Sequence, residues 1–127
     1  KDHFLLERIN RSISLRKAIG DVDELENPLW VWQIGRSFFI AVPNEAYSFL
    51  QKSLRSDFPG YAILPLNIAN GSQSYLPHAA QYNRLDTYAV WVALFERGSL
   101  EIVYEAIKSS IQNMIRKDEL CLAQTQN

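Results

Sequence analysis

The sequence predicts a small α/β domain in which helices pack on a mixed β-sheet. Three observations lead to this prediction: short β-rich runs bounded by Gly or Pro, amphipathic segments with apolar residues at helical spacing, and the alternation of the two along the chain. A length of 127 residues is enough for one hydrophobic core. No internal repeat or low-complexity segment interrupts the pattern, so we expect one domain.

Residues 1–28 are expected to form a helix followed by an acidic connector. Apolar residues recur at helical spacing in "HFLLERINRSISLRKAIG", and Gly20 is a suitable stop signal. Two β-rich runs follow the connector, "LWVWQIG" and "SFFIAVP". The Gly35-Arg36 pair between them predicts a hairpin with a two-residue turn, and Pro43 is expected to end the second strand.

A second helix is expected over "NEAYSFLQKSLRSDFPG". Asn44 is a suitable N-cap, and Glu45 in the first turn would complement the positive end of the helix dipole. The next run, "YAILPLNIA", predicts a strand, and its apolar character predicts burial on both of its faces. The polar loop "NGSQS" separates this strand from "PHAAQYNRL", which predicts a short helix or turn.

The C-terminal third is expected to contain a strand and a long helix. "TYAVWVALF" fits either a strand or the entrance to a helix, and its alternating Val, Trp and Tyr residues favour the strand. "SLEIVYEAIKSSIQNMIRKDEL" predicts an amphipathic helix. Its apolar stripe comprises Leu100, Val103, Ile107, Ile111 and Ile115. Residues 118–127 are expected to form a flexible tail.

Composition argues against several classes of protein. The formal net charge is −1, with acidic and basic residues interspersed, so we expect no nucleic-acid partner. No apolar run is long enough for a membrane span, and no stretch has the pattern of a signal peptide. The single Cys121 excludes an internal disulfide but does not fix the compartment.

The residues that could carry chemistry follow the ends of two predicted strands. The sequence contains no HExxH, CxxC, GxSxG or P-loop motif, and its two histidines, His3 and His78, are far apart. Glu45 follows one strand and Tyr75 follows the polar loop after the next, and such strand ends can converge on one rim of a sheet. On periodicity alone, a dipole-favoured glutamate and a packed tyrosine are the simpler explanation of these two residues.

A longer pattern adds to this interpretation. The order "VWQIGRSFFIAVPNEAYSFL … YAILPLNIANGSQSYLPHAAQY … YAVW", followed by a long terminal helix, resembles the neutral/alkaline (non-lysosomal) ceramidase family. The resemblance covers residues 29–117 and corresponds to the last part of the catalytic domain of that family. It implies that the chain is the C-terminal portion of a larger α/β catalytic domain. A first residue other than Met also leads us to expect a piece of a longer protein.

The resemblance implies a zinc amidase that splits the amide of N-acylsphingosines or of related lipid-like substrates. It implies a Zn²⁺ ion held by two histidines from earlier in the chain, a glutamate and a tyrosine. Residue by residue, Glu45 and Tyr75 match these two oxygen ligands, and Tyr88 matches a catalytic tyrosine that stabilises the oxyanion. Asn70 and Gly71 would shape the loop, with Gly71 letting the backbone approach the site.

The chain also departs from the family pattern. The two histidine ligands have no counterpart, so the chain alone is expected to be inactive and to need the N-terminal remainder of the parent protein. Ala89 follows Tyr88 where the family commonly carries glutamate, and Ser-Gln-Ser precedes Tyr75. Two alternatives therefore stay open. One is a non-catalytic ceramidase-like scaffold, and the other is a stand-alone α/β binding domain that could dimerise through a sheet edge.

Overall fold

The computed structural model describes residues 2–20, 22, 24–84 and 86–125 and confirms the predicted α/β fold. The helices of this part of the chain are Asp2–Ile19 (α1), Ser48–Asp57 (α2), Tyr88–Trp91 (α3) and Ser99–Thr125 (α4). The strands are Trp30–Ile34 (β1), Ser37–Ala41 (β2), Glu45–Ala46 (β3), Ala62–Leu66 (β4) and Tyr75–Leu76 (β5). A 3₁₀ turn at Ala79–Gln81 matches the predicted short helix or turn.

The main sheet has three strands in the order β1-β2-β4. β1 and β2 form the predicted antiparallel hairpin, and Gly35 adopts a φ of +57° in its two-residue turn. A positive φ at this position is typical of the tight turns that join hairpin strands. β2 pairs with β4 in parallel, so α2 is the crossover that returns the chain to the same end of the sheet.

The hydrophobic core lies between one face of this sheet and helices α2 and α4. It is built from alternate strand residues and from the apolar stripes of the two helices, as their periodicity predicts. The fully or almost fully buried members include Phe38, Ile40, Ile63, Leu50, Leu54, Leu100, Ile107 and Ile111. Ile115, the last residue of the predicted stripe on α4, is only partly buried.

The predicted start of the second helix is wrong. α2 begins at Ser48, and Asn44 is a fully buried residue outside the helix rather than its N-cap. The reason is a competing strand pairing: the backbone N–H of Glu45 donates to Ser74 and that of Tyr47 donates to Leu76, at 3.0 and 3.1 Å. These bonds hold residues 45–47 extended, so Glu45 does not lie in the first turn of a helix.

The strand predicted over "TYAVWVALF" is also wrong, because its first half forms the short helix α3. The N–H groups of Val90 and Val92 donate to the carbonyl groups of Thr87 and Tyr88, at 3.1 Å in each case. Local bonds of this kind satisfy the backbone without a strand partner. The alternating aromatic and β-branched residues therefore reflect side-chain packing rather than strand pairing.

Two further expectations need correction. β4 was expected to be buried on both faces, but only Ile63 is buried, whereas Leu64 and Leu66 are exposed. β4 is an edge strand, and helices cover only one face of its sheet. Residues 118–125, expected to belong to a tail, continue α4 as helix, and residues 126–127 lie outside the described residues.

The N-terminal helix α1 is present as predicted. Gly20 ends it with a φ of +77°, and its N–H donates to the carbonyl of Arg16 at 3.0 Å. Several apolar side chains of α1, Phe4 and Ile9 among them, are more than half exposed. None of the helices in the described ranges combines the length and apolar content that crossing a membrane requires.

A polar contact joins the end of α2 to α4. The Tyr104 hydroxyl donates to the Asp57 carboxylate, and the Lys108 ammonium lies 3.0 Å from the same oxygen. These two hydrogen bonds, that of Tyr104 first, lower the pKa of Asp57. A lowered folded-state pKa stabilises the fold above the unfolded-state pKa of 3.8, and this stabilisation is lost as the pH falls through the folded-state pKa.

We therefore expect Tyr104→Phe to lower the free energy of unfolding at pH 7 by about 0.5–1 kcal/mol, a modest loss because the carboxylate is partly solvated. At an acid pH below the lowered folded-state pKa of Asp57 the loss should be smaller, since the carboxyl group is then protonated in both states. Urea denaturation at the two pH values measures the difference. An equal loss at both would show that the contribution of the Tyr104 hydroxyl does not depend on the charge of Asp57.

Candidate functional site

The backbone brings Glu45 and Tyr75 side by side. β3 and β5 form a two-stranded parallel pair beyond the carboxyl ends of β2 and β4, and Glu45 is the register partner of Tyr75. Parallel strands in register carry paired side chains on the same face. Glu45 and Tyr75, 30 positions apart in the sequence, are therefore neighbours in the fold.

Hydrogen bonds anchor loop 67–74 to the segment that follows β2. The N–H groups of Ile68 and Gln73 donate to the carbonyl groups of Asn44 and Pro43, at 3.1 and 2.8 Å. The Asn44 side-chain amide donates to the Gln73 carbonyl at 3.1 Å. The buried Asn44, whose role the sequence did not indicate, thus positions the loop that leads to Tyr75.

The same loop contains unusual backbone conformations. Ile68, Asn70 and Ser74 have positive φ angles of 56°, 55° and 71°, and Gly71 has a φ of 142°. A positive φ is rare for a β-branched residue such as Ile68, and such conformations persist only where surrounding contacts hold them. A Cβ at Gly71 would lie 3.9 Å from the Pro43 Cβ, an ordinary contact. Backbone angle rather than space therefore makes glycine suitable here.

Glu45 and Tyr75 interact directly through their side chains. The hydrogen bond to Glu45 is the main cause that raises the pKa of the Tyr75 phenol, and burial and the nearby Glu45 charge raise it further. Both side chains are half-buried. The carboxylate accepts the phenolic proton, so it stabilises the neutral form of the phenol. The strand register therefore places a carboxylate and a phenol beside each other.

Tyr88 lies on the other side of Tyr75, in an aromatic cluster. The two rings meet edge to face, with centroids 5.9 Å apart, and the Trp91 ring meets Tyr88 at 4.9 Å. The Ser74 hydroxyl donates to the Val92 carbonyl at 2.8 Å, which ties the loop to the end of α3. Helix α3 therefore brings Tyr88, the third residue expected at the site, next to Tyr75.

Helix α1 extends over this cluster, which the sequence did not indicate. The Arg11 guanidinium lies 5.5 Å from the centre of the Tyr88 ring, and that of Arg8 lies 4.7 Å from the Trp91 ring. Phe4 meets Trp91 edge to face at 6.4 Å. The spacing of Arg8 and Arg11 marks one face of the helix, but spacing alone does not reveal which surface that face contacts.

Neither histidine joins the three site residues through a contact in the structure. His78 caps the 3₁₀ turn, because its Nδ1 accepts a hydrogen bond from the Ala80 N–H at 3.3 Å. Its Nε2 lies 3.4 Å from a Glu101 oxygen, and its ring packs at a tilt against that of Phe49. His3 is an exposed residue of α1.

A second tyrosine, Tyr82, lies six residues before Tyr88 in the sequence. Its hydroxyl donates to the Phe95 carbonyl at 2.9 Å, and burial raises its pKa. That bond directs the hydroxyl toward Phe95, whereas the ring of Tyr88 contacts that of Tyr75.

The described residues contain no group of three or more His, Cys, Asp or Glu side chains arranged to hold a metal ion. Comparisons with protein-family models, with curated proteins and with solved structures found no match to this chain. The site combines the carboxylate of Glu45, the phenols of Tyr75 and Tyr88, and the indole of Trp91. Two guanidinium groups of α1 lie over the rings.

We expect Glu45→Gln to lower the pKa of Tyr75 toward its ordinary value, because the substitution removes the charge that opposes formation of the phenolate. Because the pKa of Tyr75 is raised in the folded state, it stabilises the fold at pH values below the pKa of Tyr75 in the unfolded chain. This stabilisation is lost as the pH rises through the folded-state pKa of Tyr75. Titration of tyrosine resonances by NMR, assigned with Tyr75→Phe, measures the pKa.

Glu96→Gln is the matched control for this titration. The Glu96 charge raises the pKa of Tyr82 and is not among the causes that act on Tyr75. The control should therefore lower the pKa of Tyr82 and leave that of Tyr75 unchanged. An unchanged Tyr75 pKa in Glu45→Gln would exclude the carboxylate–phenol contact.

Proposed function

We propose that this chain is the C-terminal portion of a ceramidase-like, zinc-dependent amide hydrolase. Its substrate would be an N-acylsphingosine or a related lipid-like linear amide. The observation that supports the proposal best is the pairing of Glu45 with Tyr75, together with the contact of the Tyr88 ring with the Tyr75 ring. These three residues were matched to family roles by sequence order, and they lie together in the fold.

The donor atoms suit part of a zinc site. Carboxylate and phenolate oxygens are ligands that Zn²⁺ accepts, and a catalytic zinc site commonly has three or more protein ligands with one position left for water or substrate. Glu45 and Tyr75 would supply two of these ligands, and His78 is engaged with Glu101 instead. The residues therefore fit one half of a zinc shell, and two imidazoles from the parent protein would complete it.

Each of the three residues has a distinct task in this proposal. Tyr75 would have to lose its phenolic proton to become a ligand, and Glu45, its strand partner, would supply the second oxygen ligand. Tyr88 is 44% exposed. Its hydroxyl can donate a hydrogen bond to the oxyanion that develops as the amide carbonyl is attacked. Bound zinc would supply the Lewis acid that polarises the carbonyl and activates water.

One observation favours the alternative of a non-catalytic, ceramidase-like scaffold. Ala89, which stands where the family commonly has glutamate, is 8% exposed in α3. Its methyl group packs in the interior and offers no polar atom to the site. A scaffold of this kind would keep the β3–β5 pair and the aromatic cluster without binding zinc, so metal content separates the two functions.

In the intact parent protein, purified without chelator, we expect about one zinc per chain. The Glu45→Ala variant should contain at least about tenfold less zinc, with a parallel loss of amide hydrolysis. Metal analysis and hydrolysis of an N-acylsphingosine measure the two effects. Removal of one ligand weakens zinc binding because the remaining shell is incomplete.

Glu105→Ala is the matched control, because Glu105 is an exposed carboxylate on α4. It should keep both zinc and activity. A parent protein that binds no zinc even after reconstitution would exclude the hydrolase and leave the scaffold, and a Glu45→Ala variant that keeps zinc would remove Glu45 from the shell.

A further inference from the structure

A cavity of about 590 Å³ lies where the end of α1 and the connector after it approach the start of α4. Its walls also include residues of β5 and of the loop that precedes α4. Small-molecule sites in proteins usually have volumes of roughly 300–1,000 Å³. The sequence did not indicate this cavity, because segments far apart in the chain form it. We call it the connector cavity.

Branched aliphatic side chains make up most of the wall of the connector cavity. Leu76 and Val103 are buried where they line it. Val22, Leu25 and Ile102 line it as well, but they are 46%, 40% and 68% exposed. Exposed aliphatic side chains on a concave surface gain free energy when an apolar molecule covers them. The walls therefore favour a ligand with an aliphatic body.

Asn27 adds a polar group to this wall. Both polar atoms of its amide are buried and have no hydrogen-bond partner among the described residues. A buried donor and acceptor without partners are unfavourable. Because the torsion that turns an asparagine amide is broad, rotation of the amide presents both atoms to the cavity. A carboxamide carries an acceptor and a donor side by side, so it can pair with both atoms at once.

The charged side chains of the wall disfavour an anionic ligand. They are Arg16, Glu24 and Glu96, that is, one positive and two negative groups. A carboxylate in the cavity would meet a net repulsion, whereas an uncharged head group would not. The charges therefore select between head groups that are otherwise similar in size.

The connector cavity is separate from the pair formed by Glu45 and Tyr75. Leu76 lines the cavity, and it follows Tyr75 directly in β5. Successive side chains of a strand point to opposite faces, so Tyr75 points away from the cavity. A ligand in this cavity would therefore occupy a second site rather than the one described above.

We propose that the connector cavity binds an uncharged aliphatic molecule with a carboxamide head group. The aliphatic walls cover the chain of the ligand, and the amide of Asn27 pairs with its head group. The charges of the wall exclude the corresponding carboxylate. This inference depends on the cavity alone and is independent of the proposed function.

Isothermal titration calorimetry of the intact protein with three probes tests the proposal. Octanamide should bind with one molecule per chain and with a negative heat-capacity change, which is the signature of apolar burial. Octanoate has the same chain length and a negative charge, and it should bind at least about tenfold more weakly. Acetamide has the head group without the chain and should show no saturable binding.

Leu25→Trp places a larger ring at the opening of the cavity and should weaken octanamide binding about tenfold or more. Leu64→Trp is the matched control, because Leu64 is 37% exposed on β4 and does not line the cavity. The control should bind octanamide as the unchanged protein does. Asn27→Leu should weaken octanamide binding about fivefold or more, because it removes the partner of the head group.

Absence of saturable octanamide binding would overturn the proposal. Octanoate that binds as tightly as octanamide would also overturn it, because the head group would then not be selected. Unchanged affinity in Leu25→Trp would place the probe outside the cavity. Equal weakening in Leu25→Trp and Leu64→Trp would show adsorption on exposed apolar surface, and either result would exclude the site.

Discussion

The parallel pairing of β2 with β4 is the constraint on which the rest of the structure depends. Because the two strands run in the same direction, the chain must cross between their ends, and α2 makes that crossing while it buries Leu50 and Leu54 against the sheet. The carboxyl ends of both strands then lie at one edge. The segments that leave this edge pair again as β3 and β5, and this second pairing sets Glu45 beside Tyr75.

The site is held mainly by backbone contacts, and aromatic side chains surround it. Loop 67–74 is anchored by carbonyl groups of the segment after β2, and it holds positive φ angles that an unanchored loop would not keep. Tyr88 and Trp91 close one side, and guanidinium groups of α1 lie over their rings. The ring of Tyr75 therefore borders a cluster that α3 and the N-terminal helix α1 build together.

Local patterns in the sequence predicted much of the fold. The Gly35-Arg36 turn and the stripe of α4 depend on interactions within one segment, and both are confirmed. The start of α2 and the conformation of "TYAVW" depend on partners elsewhere. Residues 45–47 pair with Ser74 and Leu76, and this strand pairing overrides the capping signal at Asn44. The aromatic residues of α3 pack on distant side chains instead of entering a sheet.

The same distinction applies to the site. The proximity of Glu45 and Tyr75 follows from strand ends that converge on one rim, an expectation that topology alone supplies. The position of Arg8 and Arg11 over the aromatic rings could not be predicted, because no local signal specifies where α1 packs. The burial of Asn44 was hidden for a similar reason: its partner, the Gln73 carbonyl, belongs to a distant loop.

The register of β3 and β5 has a consequence for how this scaffold can change. Positions 45 and 75 are set opposite each other by main-chain bonds, so their proximity does not depend on which side chains they carry. Evolution or design can therefore exchange the pair, for instance for a histidine and a carboxylate, and obtain another reactive pair at the same place. The backbone fixes where the two side chains lie, and the identity of the side chains determines the chemistry of the pair.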